Sequence, residues 1–327
     1  MLRLPGTPLS VSPLCLGGVP FGNTLSETET FALLDRFVEL GGNFIDTARI
    51  YSDWVPGEKR RSERVLGDWL AARRNRAQLV IATKGAHPFI ESLDVPRSSV
   101  AELRDDLEGS LRTLRTDVID LYWLHRDDSA RPVEQFIDAL NAFLREGKLR
   151  AFGASNWTTA RLRAANAYAR QSGQQGFMAN QPFWCLGVAQ SRPPPFTGYV
   201  KYDVEMDRFH RESGLAVIPY TAQANGFFSK LARGDTGLEQ HDFHVPANLV
   251  AGRVVRELAA LKRVAPSAIV LAYLWSRSFP VVPIIGSRTP AQLEDGFAAL
   301  PVRLSPAELV SLESASQSGL PVAEAGR

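Results

Sequence analysis

Leu79-Val80-Ile81-Ala82-Thr83-Lys84 is the stretch on which the fold turns. Its residues run apolar without the alternation of a half-buried strand, and the run is too short for a typical helix. A continuous run of that kind is what a parallel strand covered on both faces requires. It ends in an ammonium, which is costly in apolar surroundings unless paired. The stretch therefore predicts a buried strand that delivers a lysine, with a partner, at its C-terminal end.

Seven other segments share this character: Leu14–Gly17, Asn43–Thr47, Ile119–His125, Ala151–Ser155, Met178–Gln181, Ala216–Tyr220 and Val281–Ile285. Segments of helical period lie between them and carry boundary signals. Ser26-x-x-Glu29, Ser99-x-x-Glu102 and Ser305-x-x-Glu308 read as capping boxes. Thr289-Pro290 and Ser305-Pro306 set a cap residue before a proline at the first helical position. Val100, Leu103, Leu107, Leu111 and Leu114 form an apolar stripe for packing on a sheet. Eight strands with interleaved helices and no break in composition predict an α/β fold, one closed (β/α)8 barrel (a TIM barrel) over residues 1–327. The rival, an open nucleotide-binding sheet, should carry G-x-G-x-x-G after its first strand. Here Gly17-Gly18-Val19-Pro20-Phe21-Gly22 lacks the middle glycine. Residues 1–10 suggest a short hairpin closing the bottom of the barrel, and the chain from Gln317 suggests a mobile tail. Two long irregular stretches, Trp184–Val200 and Ala222–Asn248, are expected as loops on the C-terminal face, where barrels bind ligands.

The 327 residues are 45% hydrophobic and 22% charged, an ordinary globular composition able to bury a large core. A net charge of +2 offers no global field for nucleic acid or an anionic membrane. No apolar run approaches the ~18–20 residues that span a bilayer; the longest, Ala268 to Trp275, suits a helix or strand. Pro5, Gly6, Pro8 and Pro13 interrupt any leader core. Two cysteines, Cys15 and Cys185, make neither a disulfide framework nor a zinc cluster. The expectation is a cytoplasmic protein without a metal, acting on a small molecule rather than on nucleic acid or membrane.

Four polar residues close or follow strand-like runs: Asp46, Tyr51, Lys84 and His125. They belong to the second, third and fourth strands, so a barrel makes them neighbours at its C-terminal mouth. An ordinary phenol has a pKa of ~10, and a nearby lysine should lower it. Asp46 can hold Lys84 charged, His125 can orient a carbonyl oxygen, and Tyr51 can act on that oxygen as general acid or, in reverse, base. Proton delivery to a carbonyl oxygen needs a partner reaction at carbon, for which hydride transfer from a nicotinamide is natural.

The chain at this point resembles the aldo-keto reductase family. Gly42-Asn43-Phe44-Ile45-Asp46-Thr47-Ala48 with Tyr51 is similar to its Asp/Tyr motif, and Arg61 to Gly67 to the segment that follows. Ala82-Thr83-Lys84, Asp120 to Arg126 and Gly147 to Asn156 are similar to its lysine, histidine and fifth-strand motifs. The likeness runs from about residue 9 to about residue 312. It implies that Ser155, Asn156 and Gln181 hold a nicotinamide carboxamide, that Tyr220 stacks on the ring, and that Gly18 also contacts the cofactor. It assigns Gly286, Ser287 and Arg288, before the Pro290 helix, to the 2′-phosphate of NADP, favouring NADPH over NADH. Gln292 and Asp295 are left for adenine, because Gly296 stands where the family has a side-chain amide. The chain departs from the family again at Gln181-Pro182-Phe183-Trp184 and at Tyr220 to Gly226, near the expected cofactor and substrate walls.

The expected substrate wall is aromatic: Phe21, Trp54, Phe89, Trp157 and Trp184, with His87, Phe183, Phe196 and Tyr199 also in reach. The leading expectation is an NADPH-dependent reductase of aldehydes or ketones. Two others stand beside it: an NADP-binding regulatory or sensor protein with little turnover, and a lyase forming a Schiff base on Lys84.

Overall fold

The computed structural model describes residues 1–190, 198–316 and 319–320. The expected tail from Gln317, apart from Gly319 and Leu320, lies outside the described residues, as does Phe196.

The chain opens with a two-stranded antiparallel hairpin, β1 (Leu2–Arg3) and β2 (Ser10–Val11). Eight parallel strands follow: β3 (Cys15–Gly17), β4 (Phe44–Asp46), β5 (Val80–Gly85), β6 (Ile119–Leu124), β7 (Leu149–Ser155), β8 (Ala179–Gln181), β9 (Ala216–Val217) and β10 (Ile284–Ile285). Their order is β10-β3-β4-β5-β6-β7-β8-β9. The sheet closes where Val282 N donates to Val217 O and Ile284 N to Pro219 O, both at 2.9 Å. Each strand lies where the apolar runs placed it. The last two are cut short by Pro219, Pro280 and Pro283, which have no N–H for a ladder.

Inside the barrel, Cys15, Phe44, Val80, Ala82, Leu121, Trp123, Ala151, Ala179 and Ala216 pack into one cluster. Leu4, Leu9 and Val11 of the hairpin join it against the first residues of several strands, so the hairpin plugs the N-terminal end as expected. The C-terminal mouth is left for chemistry.

Eleven helices surround the described barrel: α1 (Glu27–Glu39), α2 (Arg61–Arg73), α3 (Val100–Leu114), α4 (Val133–Arg145), α5 (Thr159–Gln171), α6 (Val204–Ser213), α7 (Phe227–Arg233), α8 (Pro246–Lys262), α9 (Pro266–Trp275), α10 (Pro290–Ala298) and α11 (Pro306–Ser316). The capping boxes at Ser26 and Ser99 form in both directions, and Ser305 and Glu308 exchange the same pair of bonds. Leu103, Leu107 and Leu114 of α3 are buried, while Val100 at its start is exposed. The apolar run Ala268 to Leu274 is buried within α9. Among the described residues no single helix is long and apolar enough to cross a membrane.

Gly67 lets α2 lie on the end of α3: a β-carbon there would sit 2.4 Å from Thr113 O and 3.0 Å from Leu114 Cα. Backbone cannot step aside as a side chain can. Gly67→Ala should therefore destabilise the fold by about 1–3 kcal/mol, seen as a lower midpoint in urea at unchanged slope. An unchanged midpoint would show that α2 can shift freely.

Candidate active site

Strand pairing brings the first three polar residues together. β4 and β5 are adjacent, with Asp46 opposite Ala82, and Lys84 lies two residues further along β5. The chain beyond β4 stays tied to β5 through Thr47 N to Ala82 O at 2.9 Å and Arg49 N to Lys84 O at 3.1 Å. A turn closed by Tyr51 N to Ala48 O, at 3.0 Å, then sets the phenol above the lysine. Lys84 Nζ donates to the Asp46 carboxylate, to Thr47 O at 2.8 Å and to the Tyr51 hydroxyl at 3.0 Å. Asp46 also accepts from Gln181 Nε2 at 3.1 Å, a bond that crosses the mouth from β8, four strands away. Behind the pair, Thr83 Oγ1 donates to the buried Glu63 at 2.7 Å.

Burial pulls the Lys84 ammonium towards neutrality, but Asp46 and Tyr51 outweigh it, and its pKa ends above the ordinary lysine value. The lysine is therefore charged across the neutral range. Tyr51 departs from the sequence expectation. Burial pushes its phenol up, Lys84 pulls it down, Asp46 pushes it up again, and the net direction is upward. In the free protein Lys84 limits the rise without reversing it, because desolvation of a phenolate is the larger effect.

His125 follows β6. Its N–H donates to Gly85 O at 2.8 Å, and its carbonyl accepts from Asn156 Nδ2 at 3.2 Å. Its ring lies edge-on to Tyr51, with centroids 5.8 Å apart, and 4.7 Å from that of His87. Burial, then His87, Arg126 and Lys84, push its pKa well below the ordinary histidine value, so the imidazole is neutral. Burial and Arg126 likewise lower His87, to about 4. The His87 Nδ1 lies 2.6 Å from Pro88 O, which makes Nδ1 the protonated nitrogen and leaves Nε2 as an acceptor.

A cavity of about 960 Å³ opens over these groups, a size suited to a sizeable ligand. Tyr51, His125, Ser155, Asn156, Gln181 and Tyr220 line it. Asn156 holds a left-handed backbone, φ +60°, and its amide ties the shelf together. Its Oδ1 accepts from Tyr220 OH at 2.7 Å and Val200 N at 3.3 Å, while Nδ2 also reaches Ser155 Oγ at 3.2 Å. A hydroxyl and two side-chain amides beside an aromatic face form a donor set that fits a planar ring bearing a carboxamide.

Gly286, Ser287, Arg288, Gln292 and Asp295 stand apart from that cavity, where β10 runs into α10. The place of a Gly286 side chain is empty, with no atom within 4 Å. Arg288 is exposed, and its N–H donates to Gln292 Oε1 at 2.7 Å. An exposed guanidinium at a helix N-terminus fits an anion such as a phosphate ester. Gly18 directly follows β3 and lies beside Asp46. It is buried, its N–H donates to Asp46 O and its carbonyl accepts from Ser62 Oγ, both at 2.7 Å.

The aromatic wall needs the most correction. Trp54 lines the cavity, as do His87, Phe183 and Tyr199. Phe21 and Trp157 are fully buried in the outer core, Trp157 edge-on to Phe136 and Phe177. Trp184 stacks on Tyr202 at 4.1 Å and turns away from the cavity. Phe89 is half exposed, carries Arg97 at 4.1 Å over its ring, and lines a separate small cavity. Ile50, Arg126 and Lys201 line the main cavity without having been singled out in the sequence. Arg126 had a usable signal, since it directly follows His125. Among the described residues no group of three or more His, Cys, Asp or Glu could hold a metal ion.

A family model described as the aldo/keto reductase family matches residues 13–317. A norsolorinic acid reductase of Emericella nidulans is 34% identical, over 93% of this chain and 78% of its own. An aryl-alcohol dehydrogenase of Pestalotiopsis microspora is 30% identical, over 95% and 80%. An aryl-alcohol dehydrogenase [NADP(+)] of Phanerodontia chrysosporium is 28% identical, over 93% and 82%.

Proposed function

Because the chain belongs to the aldo/keto reductase family, and so is an oxidoreductase of carbonyl compounds, we propose that it reduces an aldehyde or ketone to the alcohol with NADPH, using Tyr51 as the proton donor. The observation that carries this reading is the simultaneous bonding of Lys84 Nζ to Asp46 and to the Tyr51 hydroxyl.

NADPH, when bound, supplies the hydride. Ser155, Asn156 and Gln181 would hold its carboxamide, Tyr220 would cover one face of the ring, and Gly286, Ser287, Arg288, Gln292 and Asp295 would take the adenosine end. Preference for NADPH over NADH rests on Arg288, and the relative from Phanerodontia chrysosporium carries NADP(+) in its name. His125 contributes a neutral imidazole. Its Nδ1 is buried without a hydrogen-bond partner, and a bare lone pair is tolerated there better than an orphaned N–H. The other nitrogen, Nε2, is then the donor that aims the substrate's carbonyl oxygen at Tyr51. Tyr51 gives its proton to that oxygen, and Lys84, held by Asp46, faces the phenolate that remains. In the oxidative direction Tyr51 takes the proton back.

The intact tetrad disfavours a sensor with little turnover. The lyase reading is disfavoured by Lys84 itself, whose amine is paired three ways and kept protonated. A Schiff base needs its lone pair free.

The pH dependence tests the assignment. Reduction needs Tyr51 protonated and His125 neutral. With the phenol raised and the imidazole lowered, both conditions hold from about pH 6 to about pH 9. The kcat/KM for NADPH-dependent reduction of an aromatic aldehyde should therefore be flat across that window. An acid limb near the ordinary histidine value, or a fall below pH 9, would contradict the assignment.

A further inference from the structure

Arg126 lines the main cavity, and the reaction above leaves its chemistry unused. Its Nη1 donates to the His125 carbonyl oxygen at 3.3 Å, and its guanidinium lies 4.8 Å over the Tyr199 ring. Among the described residues it makes no ion pair. The neighbouring acids are held by others: Asp127 by Arg161 through bonds of 2.8 and 2.9 Å, and Asp128 by Arg131 at 3.2 Å and Ser98 at 2.6 Å. Asp242, also on the cavity wall, has contacts of its own. Arg97, the other guanidinium on the wall, forks onto Asp106 at 3.1 Å. The charge of Arg126 reaches inward, since it acts on His87, His125, Tyr51 and Tyr220 together.

Its place in the fold separates it from the cofactor's phosphates. Arg126 follows β6, four strands around the barrel from β10, where Gly286 to Arg288 stand. Apolar side chains share the cavity with it: Val19, Trp54 and Leu93, each more than a third exposed, follow β3, β4 and β5. A partly buried guanidinium without a counterion, in one cavity with exposed apolar side chains, fits a ligand with an anionic end and an apolar body.

We propose that the substrate is an aromatic carbonyl compound bearing a carboxylate, and that Arg126 binds that carboxylate. This rests on the reading of the cavity as the site of carbonyl reduction. A planar fork favours a planar oxyanion, so lysine should replace Arg126 only in part.

The test compares 4-formylbenzoate with its methyl ester, which differ at the anionic group and present the same aldehyde. Wild-type protein with NADPH should favour the carboxylate in kcat/KM by about tenfold or more, mostly through KM. In Arg126→Gln the ratio should fall to about one, and Arg126→Lys should restore part of it. A wild-type ratio near one, or a ratio unchanged by Arg126→Gln, overturns the proposal. Benzoate and benzamide binding to the NADPH-loaded protein gives a second readout that needs no turnover. Benzoate should bind more tightly, and the difference should vanish in Arg126→Gln. If neither aldehyde is reduced while benzoate still depends on Arg126, the reductase reading fails and the anion site stands. If the aldehydes are reduced and benzoate gains nothing from Arg126, the anion site fails alone.

Discussion

Tyr51→Phe should lower kcat/KM for aldehyde reduction by about a thousandfold, within the range that a positioned general acid contributes, while NADPH binding is retained. Phenylalanine keeps the ring that packs edge-on to Trp54 and His125. What it removes is the hydroxyl that accepts from Lys84 Nζ. The loss should fall on kcat and kcat/KM together, because the proton moves only in the transition state. Lys84 keeps its bonds to Asp46 and Thr47, so the fold should be nearly unaffected. Steady-state kinetics beside a fluorescence titration of NADPH checks both halves. Activity within a few-fold of wild type would remove Tyr51 from the chemistry.

Lys84→Met should be severe in a different way, since it acts on stability as well as rate. Lys84 and Asp46 are 1% and 2% exposed. Removing one partner of a buried pair leaves an uncompensated charge and typically costs about 3–5 kcal/mol. Burial already pushes the Asp46 carboxyl up, with Lys84 and Gln181 opposing it. Without Lys84 the carboxyl rises further, above its unfolded value. The sign follows from linkage: a carboxyl raised in the folded state binds more protons there than when unfolded. The penalty is then fully present above its folded pKa and fades as pH falls through that value. Lys84→Met should therefore be most destabilised at neutral and alkaline pH and recover towards acid. Urea unfolding at several pH values checks this. Lys84→Met/Asp46→Leu should regain most of the stability and none of the activity, which separates the two roles. A Lys84→Met protein as stable as wild type at pH 8 would contradict the account of the pair.

The barrel and the tetrad were legible because each rests on a local signal that only one environment satisfies. The run Leu79 to Thr83 has no polar face to give to water, so it had to be buried on both sides, and Lys84 at its end had to find Asp46. Asn43-Phe44-Ile45-Asp46 and Ile119 to His125 follow the same logic. The aromatics carry no such signal. Trp157 and Trp184 each come two or three residues after a strand, where one backbone dihedral decides between cavity and outer core. Asn156, at φ +60°, precedes Trp157 and accompanies its turn into the outer core. Phe21 reads as a loop residue but is buried at 0% exposure beside Gly18. The direction of the Tyr51 shift was hidden for a related reason. The opposing charge, Lys84, is visible in the sequence, while the depth of burial that outweighs it exists only once the loop after β4 folds over β5. The free charge of Arg126 likewise depends on Arg161 and Arg131 taking Asp127 and Asp128, which spacing alone does not tell.

The central claim is that Tyr51 delivers the proton as hydride reaches the carbonyl carbon. Its most direct measurement is a single turnover of the NADPH-loaded protein with an aromatic aldehyde, followed by nicotinamide fluorescence in light and heavy water. Wild type should oxidise NADPH in one fast phase that slows in heavy water. Tyr51→Phe should bind both ligands yet oxidise NADPH about a thousandfold more slowly. A fast phase that survives in Tyr51→Phe, at the same rate and with the same solvent isotope effect, would contradict the account.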